Sequence, residues 1–217
     1  MVFGSAESHA QTVGIPGLYA TGVKVSGALL GNSKADSHYV VTASTAGSGY
    51  TGTSYTVKSK ALGSGWTGNT SGARWIVAPK PGGGDGKDST RPAGTYDYTL
   101  NFIMPAGAQL ATVVIAGTGA ADNSASIYVN GILVSGQSLA GRSSISSFTL
   151  NSSNAAFSSG ANTISFRINN SSTNATGLMV TGWSGTVTVP EQGVFLPLVG
   201  AVGICAMAGW RRAAHQS

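Results

Sequence analysis

The chain has 217 residues and a formal net charge of +5; 9% of its residues are charged, 32 are glycine and one, Cys205, is cysteine. That length holds one domain and a short appended segment, and a lone thiol excludes a disulfide or a thiolate metal site in the body. Outside Arg211-Arg212 the cations stand singly along the chain, so no basic face forms and nucleic-acid binding is excluded.

From the N-terminus, the first residues offer neither a basic n-region nor an apolar h-region, yet Ser8-His9-Ala10 has the small-residue form of a signal-peptide end. Residues 1–10 are therefore expected to be the remnant of a signal peptide that begins upstream.

Residues 11–189 form the body. Helical periodicity is nearly absent, and short alternating apolar runs are punctuated by Gly, Ser, Asn and Pro. Strands are expected over Leu18–Val25, His38–Ala43, Ser54–Lys58, Ala73–Ala78, Gly94–Met104, Leu110–Gly117, Ser126–Asn130, Ile132–Ser135, Ile145–Leu150, Asn162–Asn169 and Leu178–Val189. Asn130-Gly131 between two apolar runs signals a hairpin, because both residues accept positive φ. The Gly-rich stretch from Pro79 to Arg91 is expected to be a mobile loop. Tyr96 and Tyr98 fall on one face of a strand, with Asp97 on the other. Many short strands with regular turns predict an all-β domain, a jelly-roll β-sandwich.

Chemical motifs mostly fail. Gly63-Ser64-Gly65-Trp66-Thr67-Gly68 matches a dinucleotide fingerprint in spacing only, since no helix follows. His38 is the sole histidine inside the body, so no multi-histidine metal site can form there. A serine triad would have to use His38, and no nucleophile elbow exists. Glu7 and Glu191 are the only glutamates and lie outside the body. Paired-carboxylate hydrolysis would need two of Asp36, Asp85, Asp88, Asp97 and Asp122. The chain is therefore read as a non-enzyme with no cofactor; Ca²⁺ stays open, because backbone carbonyls also serve as ligands. Trp66 stands in a Gly/Thr/Asn loop where stacking on a sugar ring competes with a packing role. Asp122 and Asn123 are turn formers that could also bond sugar hydroxyls. Sequons at Asn69, Asn151, Asn169, Asn170 and Asn174 allow glycosylation without demanding it.

The segment 190–217 differs from the body. An uncharged apolar run, 194–210, is followed at once by Arg211 and Arg212. Roughly 17–20 apolar residues cross a bilayer as a helix, so 194–210 is expected to be a single C-terminal transmembrane helix. Trp210 is placed as an interfacial aromatic, and the two arginines predict that the C-terminus is inside and the body outside.

Val189-Pro190-Glu191, the apolar run and Arg211-Arg212, in that order, resemble the PEP-CTERM sorting signal of Gram-negative bacteria, with Gln192 in place of the signal's second proline. The resemblance implies an exosortase-like processing enzyme as partner, with Val189, Pro190, Glu191, Arg211 and Arg212 as the sorting residues. In the body, Ile15-Pro16-Gly17-Leu18, Arg74-Trp75-Ile76 and Gly94-Thr95-Tyr96-Asp97-Tyr98 look like the scheme of PEP-CTERM ectodomains. Asn130-Gly131 and Gly160-Ala161-Asn162-Thr163-Ile164 are also similar to galactose-binding-like jelly rolls. Together these imply an exported structural or adhesive protein, membrane-anchored at the cell surface or associated with exopolysaccharide. The alternative they imply is a carbohydrate-binding module that uses Trp66, Asp122 and Asn123; a hydrolase stands behind both.

Overall fold

The computed structural model describes residues 9–57, 64–81, 86 and 88–191. Among the described residues the body, Ala10–Pro190, is all-β apart from two single 3₁₀ turns, Ser48–Tyr50 and Leu110–Thr112. Its strands are β1 (Ala10–Gly14), β2 (Ala35–Ser44), β3 (Gly52–Thr56), β4 (Ile76–Val77), β5 (Thr90–Arg91), β6 (Gly94–Ile103), β7 (Val114–Asp122), β8 (Ser124–Val129), β9 (Ile132–Leu139), β10 (Ser146–Asn151), β11 (Ala161–Asn170), β12 (Asn174–Ala175) and β13 (Gly177–Pro190). One continuous antiparallel ladder runs β10-β7-β13-β4-β3-β2-β6-β11-β8-β9, with β1 added beside β13; β12 and β5 pair separately. The ladder folds back on itself at the short β4 and β3. The layer β10-β7-β13 then faces the layer β2-β6-β11-β8-β9, as Phe148 of β10 shows by meeting Phe166 of β11 edge-on at 5.7 Å.

Period-two alternation builds the core between the layers. In β11, Asn162, Ile164, Phe166, Ile168 and Asn170 are buried, while the residues between them reach solvent. Tyr96, Tyr98, Leu100 and Phe102 of β6 and Ile127 and Val129 of β8 join the same core. Each fully buried side chain of this kind contributes about 1.5–3 kcal/mol. Burial pushes the Tyr96 phenol up to about 12. A second, smaller core lies on the far side of the first layer. Met179 and Ala120, paired across β13 and β7, are covered there by Val57, Ala73, Trp75 and Val77 and flanked by Ala20 and Trp66.

Several expectations need correction. Leu18–Val25 is not a strand but an irregular strap with a single Val23–Leu29 bridge. It is tied across the ladder by Thr21 N–H to the Val180 carbonyl (2.9 Å) and Arg74 N–H to the Thr21 carbonyl (2.9 Å). Gly22 explains the break: its φ is +69°, and a Cβ there would lie 2.6 Å from that of Arg74. Ala73–Ala78 shrinks to Ile76–Val77, with Trp75 and Val77 in the small core and Ile76 and Ala78 in the large one. Leu110–Gly117 begins as a 3₁₀ turn, and the strand β7 starts at Val114 and runs on to Asp122. Asn130 (φ 50°) and Gly131 (φ 79°) make the expected hairpin turn.

Val189 and Pro190 belong to β13, opposite Gln11 and Ala10 of β1, and Glu191 follows as the last described residue. The segment 194–210, Arg211, Arg212 and most of 1–10 lie outside the described residues. Among the described residues no helix is long and apolar enough to cross a membrane.

Candidate functional site

The residues singled out for sugar contact gather at one end of the sandwich, where Asp122 Oδ1 and Asn123 Oδ1 bond within the fold. Trp66 is half-buried and packs against Trp75 with ring centroids 4.4 Å apart, and the Trp75 indole N–H donates to the Thr67 carbonyl (2.9 Å). Thr67 N–H in turn reaches the Arg142 carbonyl (2.7 Å). Arg142 Nη1 donates to Asp122 Oδ1 (3.0 Å), so the loop carrying Trp66 and the end of β7 are linked through Arg142. Burial raises the affinity of the Asp122 carboxyl for a proton, and the Arg142 bond opposes this. Asn123 lies between β7 and β8, and its Oδ1 accepts from Ser171 N–H (3.0 Å) and Ser171 Oγ (3.2 Å). Trp66, Asp122 and Asn123 therefore help to hold three loops together.

Asp36, Asp88 and Arg91 are similarly tied. Asp36 is buried and accepts from the backbone N–H groups of Gly22 (2.6 Å), His38 (2.8 Å) and Tyr39 (3.3 Å); burial still pushes its carboxyl up. The His38 ring stacks on Tyr19 at 3.7 Å, and its buried Nε2 has no hydrogen-bond partner. Asp88 is held below the usual carboxylate range by its hydrogen bond from Lys80. Arg91 is buried and donates to the carbonyls of Ala78 and Thr90 (2.7 Å to the latter), which fixes the far end of the Pro79–Arg91 stretch. Residues 82–85 and 87 of that stretch lie outside the described residues. Among the described residues no three His, Cys, Asp or Glu side chains come together to hold a metal.

The outer face of the layer β2-β6-β11-β8-β9 is built differently. Alternation turns Asp97, Thr99 and Asn101 of β6, Thr163, Ser165 and Arg167 of β11, and Tyr128 of β8 away from the core. Register aligns Val40, Thr99, Ser165, Tyr128 and Leu133 in one line across five strands. Beside it, Asp97 stands opposite Arg167. Arg167 grips Asp97 with two parallel bonds, Nε to Oδ1 and Nη2 to Oδ2, each 2.7 Å. It also lies over the Tyr128 ring, 4.5 Å from the centroid, and donates from Nη1 to the Tyr128 hydroxyl (3.1 Å). The Asp97 bond drives the Arg167 pKa further up. The hydroxyls of Thr42, Thr99 and Ser165 form a chain with 2.8 Å between each pair. At the ends of the line Val40 and Leu133 are exposed, Leu133 by 54%.

Three of the five guanidinium N–H donors of Arg167 are occupied, leaving two to face solvent. The face thus offers the side of the Tyr128 ring that Arg167 leaves uncovered, exposed aliphatic carbon, free guanidinium donors and the hydroxyls of Thr42 and Ser165 on rigid strands, while Thr99 between those two hydroxyls is buried. This combination can bind a molecule with both C–H faces and hydroxyl groups. Reasoning from sequence placed Asp97 on the face away from Tyr96 and Tyr98 but did not single out the other residues of this surface. Their signal was the polar half of three alternating strands, in which one aromatic and one ion pair interrupt a run of Ser, Thr and Asn.

No family model and no curated protein matches the chain. Among solved structures it is similar to a family 35 carbohydrate-binding module from an environmental isolate, at 12% identity over 62% of this chain and 85% of that one, with a TM-score of 0.32. It is also similar to the carbohydrate-binding module CBM36 in complex with calcium and xylotriose, at 16% identity over 46% of this chain and 76% of that one, with a TM-score of 0.26. The likeness is coarse, and the chemistry of the outer face is set by its own residues.

Proposed function

We propose that this domain is a non-catalytic carbohydrate-binding module of jelly-roll form, and that the outer face of β2-β6-β11-β8-β9 is its binding surface. The observation that carries the proposal is the in-register line of Val40, Thr99, Ser165, Tyr128 and Leu133 beside the fixed Asp97–Arg167 pair. Sugar rings present apolar C–H faces to aromatic and aliphatic carbon, and their hydroxyls bond side chains held by a rigid sheet. The commitment of Asp36, Asp97 and Asp122 to backbone amides or arginine leaves none of them placed as a free acid or base, which supports binding without hydrolysis.

The test is a glycan array followed by calorimetry on the full chain, with Tyr128→Ala and Trp66→Ala variants. Tyr128→Ala should weaken saccharide binding about tenfold, within the usual worth of an aromatic stacking contact. Trp66→Ala should retain binding in whatever fraction folds. Absence of any saccharide binding, or full binding by Tyr128→Ala, would overturn the proposal.

Export belongs to the same proposal. Val189, Pro190, Glu191, Arg211 and Arg212 act as a sorting signal read by an exosortase-like enzyme, and 194–210 anchors the domain outside the cell, within reach of exopolysaccharide. Its support is the order of the three sequence elements. Cell fractionation with tags at both ends, and mass spectrometry of the mature C-terminus, test it; full-length protein free in the cytosol would refute it.

A further inference from the structure

We infer that the ligand is a neutral, linear polysaccharide, gripped along its length and lying across the strands. The inference rests on the carbohydrate-binding proposal and specifies the polymer. Three observations carry it.

The first is pitch. Neighbouring strands lie about 4.8 Å apart, so the line from Val40 on β2 to Leu133 on β9 spans about 19 Å. Each strand places one side chain on that line, and the strand spacing is close to the advance of one pyranose unit along an extended chain. A polymer laid across the strands meets a new side chain with each sugar except over β6, where Thr99 is buried. A polymer laid along a strand would meet every second residue, at a spacing that no sugar repeat follows.

The second is charge. On β2, β6, β8, β9 and β11 the charged side chains are Asp36, which is buried and bonded to backbone N–H groups, and the pair Asp97 and Arg167, which neutralise each other through two 2.7 Å bonds. No surplus cation stands on the line to meet a carboxylate or sulfate. The chained hydroxyls of Thr42, Thr99 and Ser165 can run in either direction, since either oxygen of each pair can donate. Such a row matches ligand hydroxyls, which both give and take a proton, better than an anionic group that only accepts.

The third is openness. Among the described residues the line has no wall at either end: Val40 is paired with Thr53 of β3, itself exposed, and Leu133 sits on the edge strand β9. A surface without end walls accepts internal segments, whereas recognition of a chain terminus needs a closed pocket.

The experiment is calorimetry on the full chain with gluco-, manno- and xylo-oligosaccharides of one to six units, and with an oligogalacturonide as the anionic probe. For at least one neutral series, affinity should rise at least tenfold from two units to four and then level off. Leu133→Ala, with its fold checked by circular dichroism, should erase most of that rise. Equal affinity for two and four units, or preference for the oligogalacturonide at physiological salt, overturns the inference; if such binding is still weakened by Tyr128→Ala, the carbohydrate-binding proposal survives. No binding to any saccharide overturns both.

Discussion

Arg167 is fixed on three sides, by the two oxygens of Asp97, the hydroxyl of Tyr128 and the face of the same ring. A lysine keeps the charge but loses the planar fork. Because Arg167 is 44% exposed, although Asp97 is nearly buried, Arg167→Lys should cost about 1 kcal/mol of stability or less. It should nevertheless weaken saccharide binding severalfold, because Tyr128 loses its lateral support; urea melts and calorimetry on one sample separate the two effects. Asp122 carries a prediction of opposite character. Burial makes its folded-state carboxyl hold a proton more tightly than the ordinary value of 3.8. Above that pH the folded chain therefore binds more protons than the unfolded one, so the Asp122 contribution to stability falls as pH rises through the shifted value. Asp122→Asn keeps an acceptor for Arg142 and removes the titration. Relative to this variant, the parent protein should lose melting temperature between about pH 4 and neutrality, as followed by thermal melts across that range.

At the scale of elements, the ladder has one seam. β9 and β10 end it on opposite layers, and no backbone pairing joins them. Side chains serve instead: Gln137 Oε1 accepts from Thr149 N–H (2.8 Å), and Ser146 Oγ accepts from Ala140 N–H (3.3 Å). Gln137→Ala should cost about 0.5–1.5 kcal/mol, read as a lower urea midpoint. It should also promote association through the freed edge, seen by light scattering. Much of this ladder was legible beforehand. β6, β8, β11 and β13 alternate clearly, and Asn130-Gly131 announced its turn. The strap at Leu18–Val25 was not, because its apolar spacing mimics a strand while positive φ at Gly22 prevents one. The binding face was legible only as a polar side. What makes it a site is the pairing of Asp97 with Arg167, 70 residues apart in the chain, and register across five strands is not written in any local segment. The Gly-rich surroundings of Trp66 left stacking and packing both open, and only the fold shows Trp75 holding it against the second core.

For the whole molecule, the two cores share β7 and β13. Ala121, Leu178 and Val180 face the large core, while Ala120 and Met179, their immediate neighbours, face the small one. Loss of either should release both. Trp75→Ala is expected to cost about 3–5 kcal/mol and still to unfold in one transition, with tryptophan fluorescence and far-ultraviolet circular dichroism coinciding. The Asn130-Gly131 turn adds a chemical clock to this cooperativity. In a loose chain the glycine nitrogen attacks the preceding carboxamide, expels ammonia and leaves a succinimide that opens to aspartate or isoaspartate. Here the Asn130 carboxamide is clamped, its Nδ2 donating to the Ala156 carbonyl and Asn162 Oδ1 (2.8 Å each) and its Oδ1 accepting from Thr163 N–H (2.9 Å). Isoaspartate at position 130, counted by peptide mapping after prolonged incubation, should therefore accumulate in denaturant and stay scarce in the native protein, so that ageing at this one amide records the time each molecule has spent unfolded.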